Sequence, residues 1–154
     1  MASKHRVEVI AESISKRLDQ GRMADSEIRE ELSKLVFPND RAPGNKTLLH
    51  LLARVNRRGV GRVIHIAINE FELRVNARDI PMYDTPSHVA LASENEEAFV
   101  ALRINNADLL AKNRLGENPE EFAGRNLSLA AIEMVKGEPK PELVRLVRRK
   151  SAKV

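Results

Sequence analysis

Histidine, glutamate and arginine are the side chains whose spacing first invites a chemical reading. His50, His65 and His88 are candidate general bases or metal ligands, because a neutral imidazole offers a basic nitrogen near neutral pH. His50 and His88 stand 38 positions apart, and neither begins an HxxxH or HxxE pattern. With no cysteine in the chain, a zinc site built on them lacks its usual partners, and disulfides and thiolate nucleophiles are excluded. Glu94, Glu96 and Glu97 form an acidic cluster, and Glu120-Glu121 stands where negative charge suits the start of a helix. Arg57-Arg58-Gly59-Val60-Gly61-Arg62 mixes glycine with cations, as a phosphate cradle does, yet its spacing is that of no phosphate loop, and a solvated turn is the preferred reading. Neither GxGxxG nor GxSxG occurs. The expectation is no catalytic, cofactor-binding or metal-binding set, and a protein that is not an enzyme.

The elements that must position these residues are short. Val7, Ile10, Ile14 and Leu18 recur at spacings of three and four, which predicts a helix over 5–20 stopped by Gly21. Asp25 or Ser26 caps a second helix, in which Ile28, Leu32, Leu35 and Val36 share a face and which Pro38 ends. Residues 38–45 are turn formers. Val60 to Ile68, apolar and β-branched, reads alone as a strand, but its place in the chain predicts a buried helix carrying His65. Ala98–Leu102 and Leu127–Val135 supply further helices, Asn126 being a plausible N-cap of the latter. Beyond Gly137, Pro139 and Pro141, a helix over 142–149 sets Leu143, Val144, Leu146 and Val147 against Arg145, Arg148 and Arg149.

Thr85-Pro86-Ser87-His88 opens a segment that runs through two apolar stretches and Asn106-Ala107-Asp108 to Gly116 and Asn118-Pro119. Thr85 and Asn118 lie 33 residues apart. In its opening, its exit and its period this segment resembles one whole ankyrin repeat. Thr47-Leu48-Leu49-His50-Leu51-Leu52-Ala53 is similar to the same opening with Leu48 in place of proline, and Val75-Asn76-Ala77-Arg78-Asp79 resembles the entry to the hairpin. The 38 residues from Thr47 to Thr85 exceed the period, and the extra ones are assigned to an Arg57–Arg62 connection and to the Ile80–Asp84 tip. The resemblance implies an all-α fold, an ankyrin-repeat α-solenoid of stacked helix-turn-helix units with short β-hairpin tips. It divides one domain, 1–154, into a helical cap (1–43), repeats at 44–84, 85–117 and 118–136, and a basic helix and tail (137–154). Residues 1–43 are read as a capping repeat, with an unrelated helical hairpin as the alternative. In such repeats the histidine is structural, bridging loop backbones by hydrogen bonds. Ala90, Ala92, Ala98 and Ala101 are small because the short helices approach closely.

The net charge of +4 is uneven: residues 136–154 carry +5 and the remainder sums to −1. Aromatic residues make up only 3% of the chain, so the core is aliphatic. No apolar leader begins the sequence and no 18-residue apolar run occurs, so a cytoplasmic monomer is expected, with nuclear or host-cell delivery as alternatives. The resemblance implies a non-catalytic scaffold or adaptor that binds another protein, of unstated identity, through hairpin tips and a concave face. Its contact residues would be Arg54, Arg57, Ser93 and Glu94 on the first-helix side, with Arg78, Asp79, Met82, Tyr83, Arg114 and Glu117 on the tips. A bacterial or viral effector that engages host proteins is a second reading. A nucleic-acid-associated regulator is a third, because the tail is basic, although no aromatic accompanies it for base stacking.

Overall fold

The computed structural model describes residues 5–125 and 128–149, and among them every regular element is helical. Nine α-helices follow one another: α1 (Arg6–Asp19), α2 (Asp25–Leu32), α3 (Leu48–Leu52), α4 (Val60–Phe71), α5 (Pro86–Ala92), α6 (Glu96–Ile104), α7 (Pro119–Arg125), α8 (Leu129–Lys136) and α9 (Pro141–Arg148). A short 3-10 turn spans Pro43–Asn45. None of these helices is long and apolar enough to cross a membrane.

Local side-chain bonds start six of these helices. Glu8 and Glu27 reach back to the His5 and Ala24 amides at the heads of α1 and α2. Thr85, Asn95 and Ser128 accept the amides of His88, Ala98 and Ala131 at the starts of α5, α6 and α8. Asn118 and Glu121 exchange side-chain to backbone bonds at 2.9 Å to begin α7.

Consecutive helices pair into hairpins, and the hairpins stack in register. In one layer α1 packs on α3, α3 on α5 and α5 on α7; in the other α2 packs on α4, α4 on α6 and α6 on α8. The buried seam is aliphatic, with Ile14, Leu48, Leu49, Leu52, Ile64, Leu91 and Leu102 essentially inaccessible and Phe99 the one large ring among them. Ala90, Ala98 and Ala101 are fully buried where helices meet, whereas Ala92 is exposed.

Several expectations need correcting. α2 ends at Leu32; Leu35 packs partly on the core but Val36 is 59% exposed, so the apolar period runs past the helix. The Arg57–Arg62 connection is shorter than expected, because α4 begins at Val60 and buries Val60 and Gly61. Left-handed Glu72 and Asn106 mark equivalent exits from α4 and α6. The following caps, Thr85 and Asn118, come 13 and 12 residues later, so the 80–84 tip is only one residue longer than its counterpart. No strand forms among the described residues, and the tips are tight closed loops with a single isolated bridge, Ala42 to Lys46. Asn126 and Leu127 lie outside the described residues; the cap of α8 is Ser128.

The basic helix expected over 142–149 is α9, and it lies across α4 and α6, burying Val147 completely. Gly61 makes this approach feasible, since a Cβ there would stand 2.6 Å from Val147 Cγ2. Arg62 donates to the Val147 carbonyl at 3.0 Å and pairs with Asp25 at 2.7 Å, and Arg149 joins the same carboxylate at 3.2 Å. These two arginines, Arg62 first, hold the Asp25 carboxyl below its usual pKa.

Candidate functional site

The histidines that invited a catalytic reading are locked into the frame. His50 and His88 are both 0% exposed. The Thr47 backbone N–H donates to His50 Nδ1 at 3.2 Å, and the Thr85 N–H donates to His88 Nδ1 at the same distance. An Nδ1 that accepts leaves the proton on Nε2, which donates to the Asp84 carbonyl at 2.7 Å from His50 and to the Glu117 carbonyl at 2.9 Å from His88. Each ring therefore ties the start of one hairpin to the residue just before the next cap. Burial holds the His50 pKa below its ordinary value. His65 is half-buried, with its Nδ1 accepting from Asn105 at 3.0 Å.

The same economy governs the tips. Loop 42–46 closes through Ala42 N–H to Lys46 O at 2.8 Å, loop 79–84 through Asp79 N–H to Asp84 O at 3.0 Å, and loop 113–117 through Asn113 N–H to Glu117 O at 2.9 Å. They are strung together by Ile80 N–H to Gly44 O at 2.8 Å and Arg114 N–H to Met82 O at 2.7 Å. Side chains follow the ladder: Lys46 Nζ meets Asp79 at 2.9 Å, and Asn113 Nδ2 donates to Asp84 at 3.1 Å.

Between the tips and the first-helix layer lies a cavity of about 310 Å³, lined by Lys46, His50, Arg54, Asp79, Asp84, Val89, Ala92 and Ser93. It unites three expected contact residues, Arg54, Asp79 and Ser93. Only Arg54 is freely exposed; Asp79 is 3% exposed and spends its carboxylate on Lys46 and the Asp84 amide, so it serves the loop rather than the surface. Burial raises the pKa of the Asp84 carboxyl at the cavity wall. On the tips, Arg78 and Arg114 are exposed, Tyr83 is 48% exposed and Met82 is half-buried. Arg114 Nη1 also reaches the Pro81 carbonyl at 3.3 Å. The remaining expected residues sit apart from the cavity. Arg57 pairs with Asp19 at the end of α1, Glu94 accepts from Ser128 at 2.7 Å, and Glu117 pairs with Arg125.

The glycine-containing basic stretch does hold an anion, but an internal one. The Glu97 carboxylate from α6 accepts the Gly59 N–H at 3.0 Å and the Gly61 N–H at 2.5 Å, capping the N-terminus of α4. Among the described residues, no group of three or more His, Cys, Asp or Glu side chains is arranged to hold a metal ion.

No family model matches the chain, and no curated protein matches it.

Sequence reasoning passed over Arg41, Arg74 and Lys46. Lys46 had a usable signal, since it precedes Thr47 as Asp84 precedes Thr85. Arg41 had none, because its partners are backbone carbonyls of Asn45 and Arg78, brought together only by folding.

Proposed function

We propose that the protein is a non-catalytic scaffold of the ankyrin-repeat type, binding a partner protein across the row of tips and the adjoining first-helix face. The observation that carries this reading is the division of labour between inside and outside. The histidines and the buried Asp79 are committed to hydrogen bonds that join one unit to the next. The tip row meanwhile leaves Ile80 49%, Tyr83 48%, Leu110 75% and Leu115 58% exposed beside Arg78 and Arg114. Apolar and arginine side chains side by side on a rigid edge suit protein recognition. The repeated histidine bridge and the two-layer stacking support the ankyrin comparison. A cytoplasmic setting fits the cysteine-free sequence.

The tail-based reading is the alternative to test against it: Arg149 and Lys140 spend their charge on Asp25 and Glu96, whereas Arg145 and Arg148 are exposed. The test is affinity capture from the native cell extract with wild type, a Y83N/R114E tip variant and an R145Q/R148Q helix variant. A protein lost with the tip variant and kept with the helix variant supports the proposal. Loss with the helix variant alone, or capture of nucleic acid, refutes it.

A further inference from the structure

We propose that the cavity between the first two tips is a binding site for a phosphorylated side chain of the partner, held by Arg41, Arg74 and Arg78. This rests on the partner-binding reading and adds its chemistry. The cavity, about 510 Å³, is lined by Arg41, Arg74, Val75, Asn76, Ala77 and Arg78, three guanidiniums with no acid among them. Arg41 is already oriented: its Nη1 donates to the Asn45 carbonyl at 2.7 Å and the Arg78 carbonyl at 3.0 Å, which fixes it across both tips. The backbone beneath the other two is fixed by Arg74 N–H to Asn39 Oδ1 at 3.0 Å and by the Ala77 N–H to Arg74 O turn at 3.4 Å. That turn doubles the chain back, so Arg74 and Arg78 serve one cavity. Their guanidiniums have no hydrogen-bond or ion-pair partner among the described residues. Arg17, Arg29 and Arg62, by contrast, are each matched to a carboxylate.

The unmatched charge decides the ligand. A carboxylate brings one negative charge, whereas a phosphomonoester brings about −1.5 to −2 and three acceptor oxygens. Guanidinium forks engage such oxygens in pairs. A peptide is favoured over nucleic acid because no aromatic ring lines the cavity for base stacking, while Val75 and Ala77 give it an apolar floor and Ile80 stands exposed on the same tip.

The test uses the full chain and labelled peptides, Ala-Ala-Ser-Ala-Ala with serine, phosphoserine or glutamate at the centre, alongside a 5′-phosphorylated oligouridylate and inorganic phosphate as competitor. Anisotropy is expected to show the phosphoserine peptide binding about tenfold tighter than the glutamate one, and the R74Q/R78Q variant losing about tenfold with its melting temperature unchanged. Equal binding of the two acidic peptides overturns the proposal, as does stronger binding of the oligonucleotide. So does competition by inorganic phosphate as strong as by the peptide, an indifferent R74Q/R78Q variant, or no binding at all. If a captured partner depends on Tyr83 but not on Arg74 and Arg78, this inference fails while the scaffold reading stands.

Discussion

Replacing His50 with alanine tests whether the buried imidazoles are joints of the frame. The ring, itself 0% exposed, satisfies the Thr47 N–H and is one of two donors to the Asp84 carbonyl, the Asp79 N–H being the other. Leaving the Thr47 N–H unpaired costs about 1–3 kcal/mol, losing one of the two bonds to the Asp84 carbonyl costs about 1 kcal/mol, and the vacated ring volume adds about 1 kcal/mol more. The sum, about 3–5 kcal/mol, is a large part of the 5–15 kcal/mol that typically holds a domain folded. Urea unfolding followed by far-UV circular dichroism should show a midpoint lower by about 2 M at an m-value near 2 kcal/mol/M. His50→Gln, able to keep one of the two bonds, should fall between.

The pH dependence follows from the same geometry. Burial lowers the folded-state pKa of His50, so the unfolded chain binds the proton more readily. Stability is then level above about pH 6.5 and declines as pH falls from there toward the folded-state value. Asp25 and Glu70, lowered by their arginine partners, add a similar loss only near and below about pH 4. Between pH 7 and 5.5 the loss of stability on acidification belongs to His50 and His65, because the raised Asp84 carboxyl acts with the opposite sign, and His65→Gln removes the share of the second lowered imidazole. A His50→Ala protein within about 1 kcal/mol of wild type, or an unchanged slope in His50→Gln, would refute the reasoning.

Three further outcomes are expected. Gly61→Ala gains about 1 kcal/mol of helix propensity but meets Val147 Cγ2 at 2.6 Å and the Glu97 carbonyl at 3.0 Å. Overpacking of about 1–3 kcal/mol should win, loosening α9 in limited proteolysis, and Val147→Ala should cost less in that background than alone. Glu97→Gln weakens the cap on the Gly59 and Gly61 amides and should cost about 1–2 kcal/mol in urea unfolding. Tyr83 is exposed at φ 57, a conformation asparagine tolerates, so Tyr83→Asn should leave the melting temperature within about 2 °C while weakening partner capture.

What the sequence made legible was local. Thr85, Pro86 and His88 sit at fixed offsets within one helical turn, so cap and bridge can be read together, and Thr47 with His50 repeats the offset without the proline. What it hid was nonlocal. The start of α4 reads as a turn because its anionic cap, Glu97, comes from another helix. The end of α2 is obscured because Leu35 and Val36 continue a period the helix does not. The seat of α9 depends on a glycine and an arginine, Gly61 and Arg62, far back in the chain. That seat also changes how the tail is tested: removing residues 136–154 would strip α9 from α4 and α6, so substitution of the exposed Arg145 and Arg148 is the cleaner probe. The arginine cavity was illegible for a related reason, since Arg41 meets Arg78 only once the tips are stacked.

The most direct measurement of the scaffold reading is backbone hydrogen exchange of the protein alone and bound to its captured partner. The account predicts added protection confined to the tip loops 41–46, 74–84 and 110–117 and the neighbouring ends of α3 and α5. Protection concentrated on α4, α6, α8 and α9, with the tips unchanged, would contradict it.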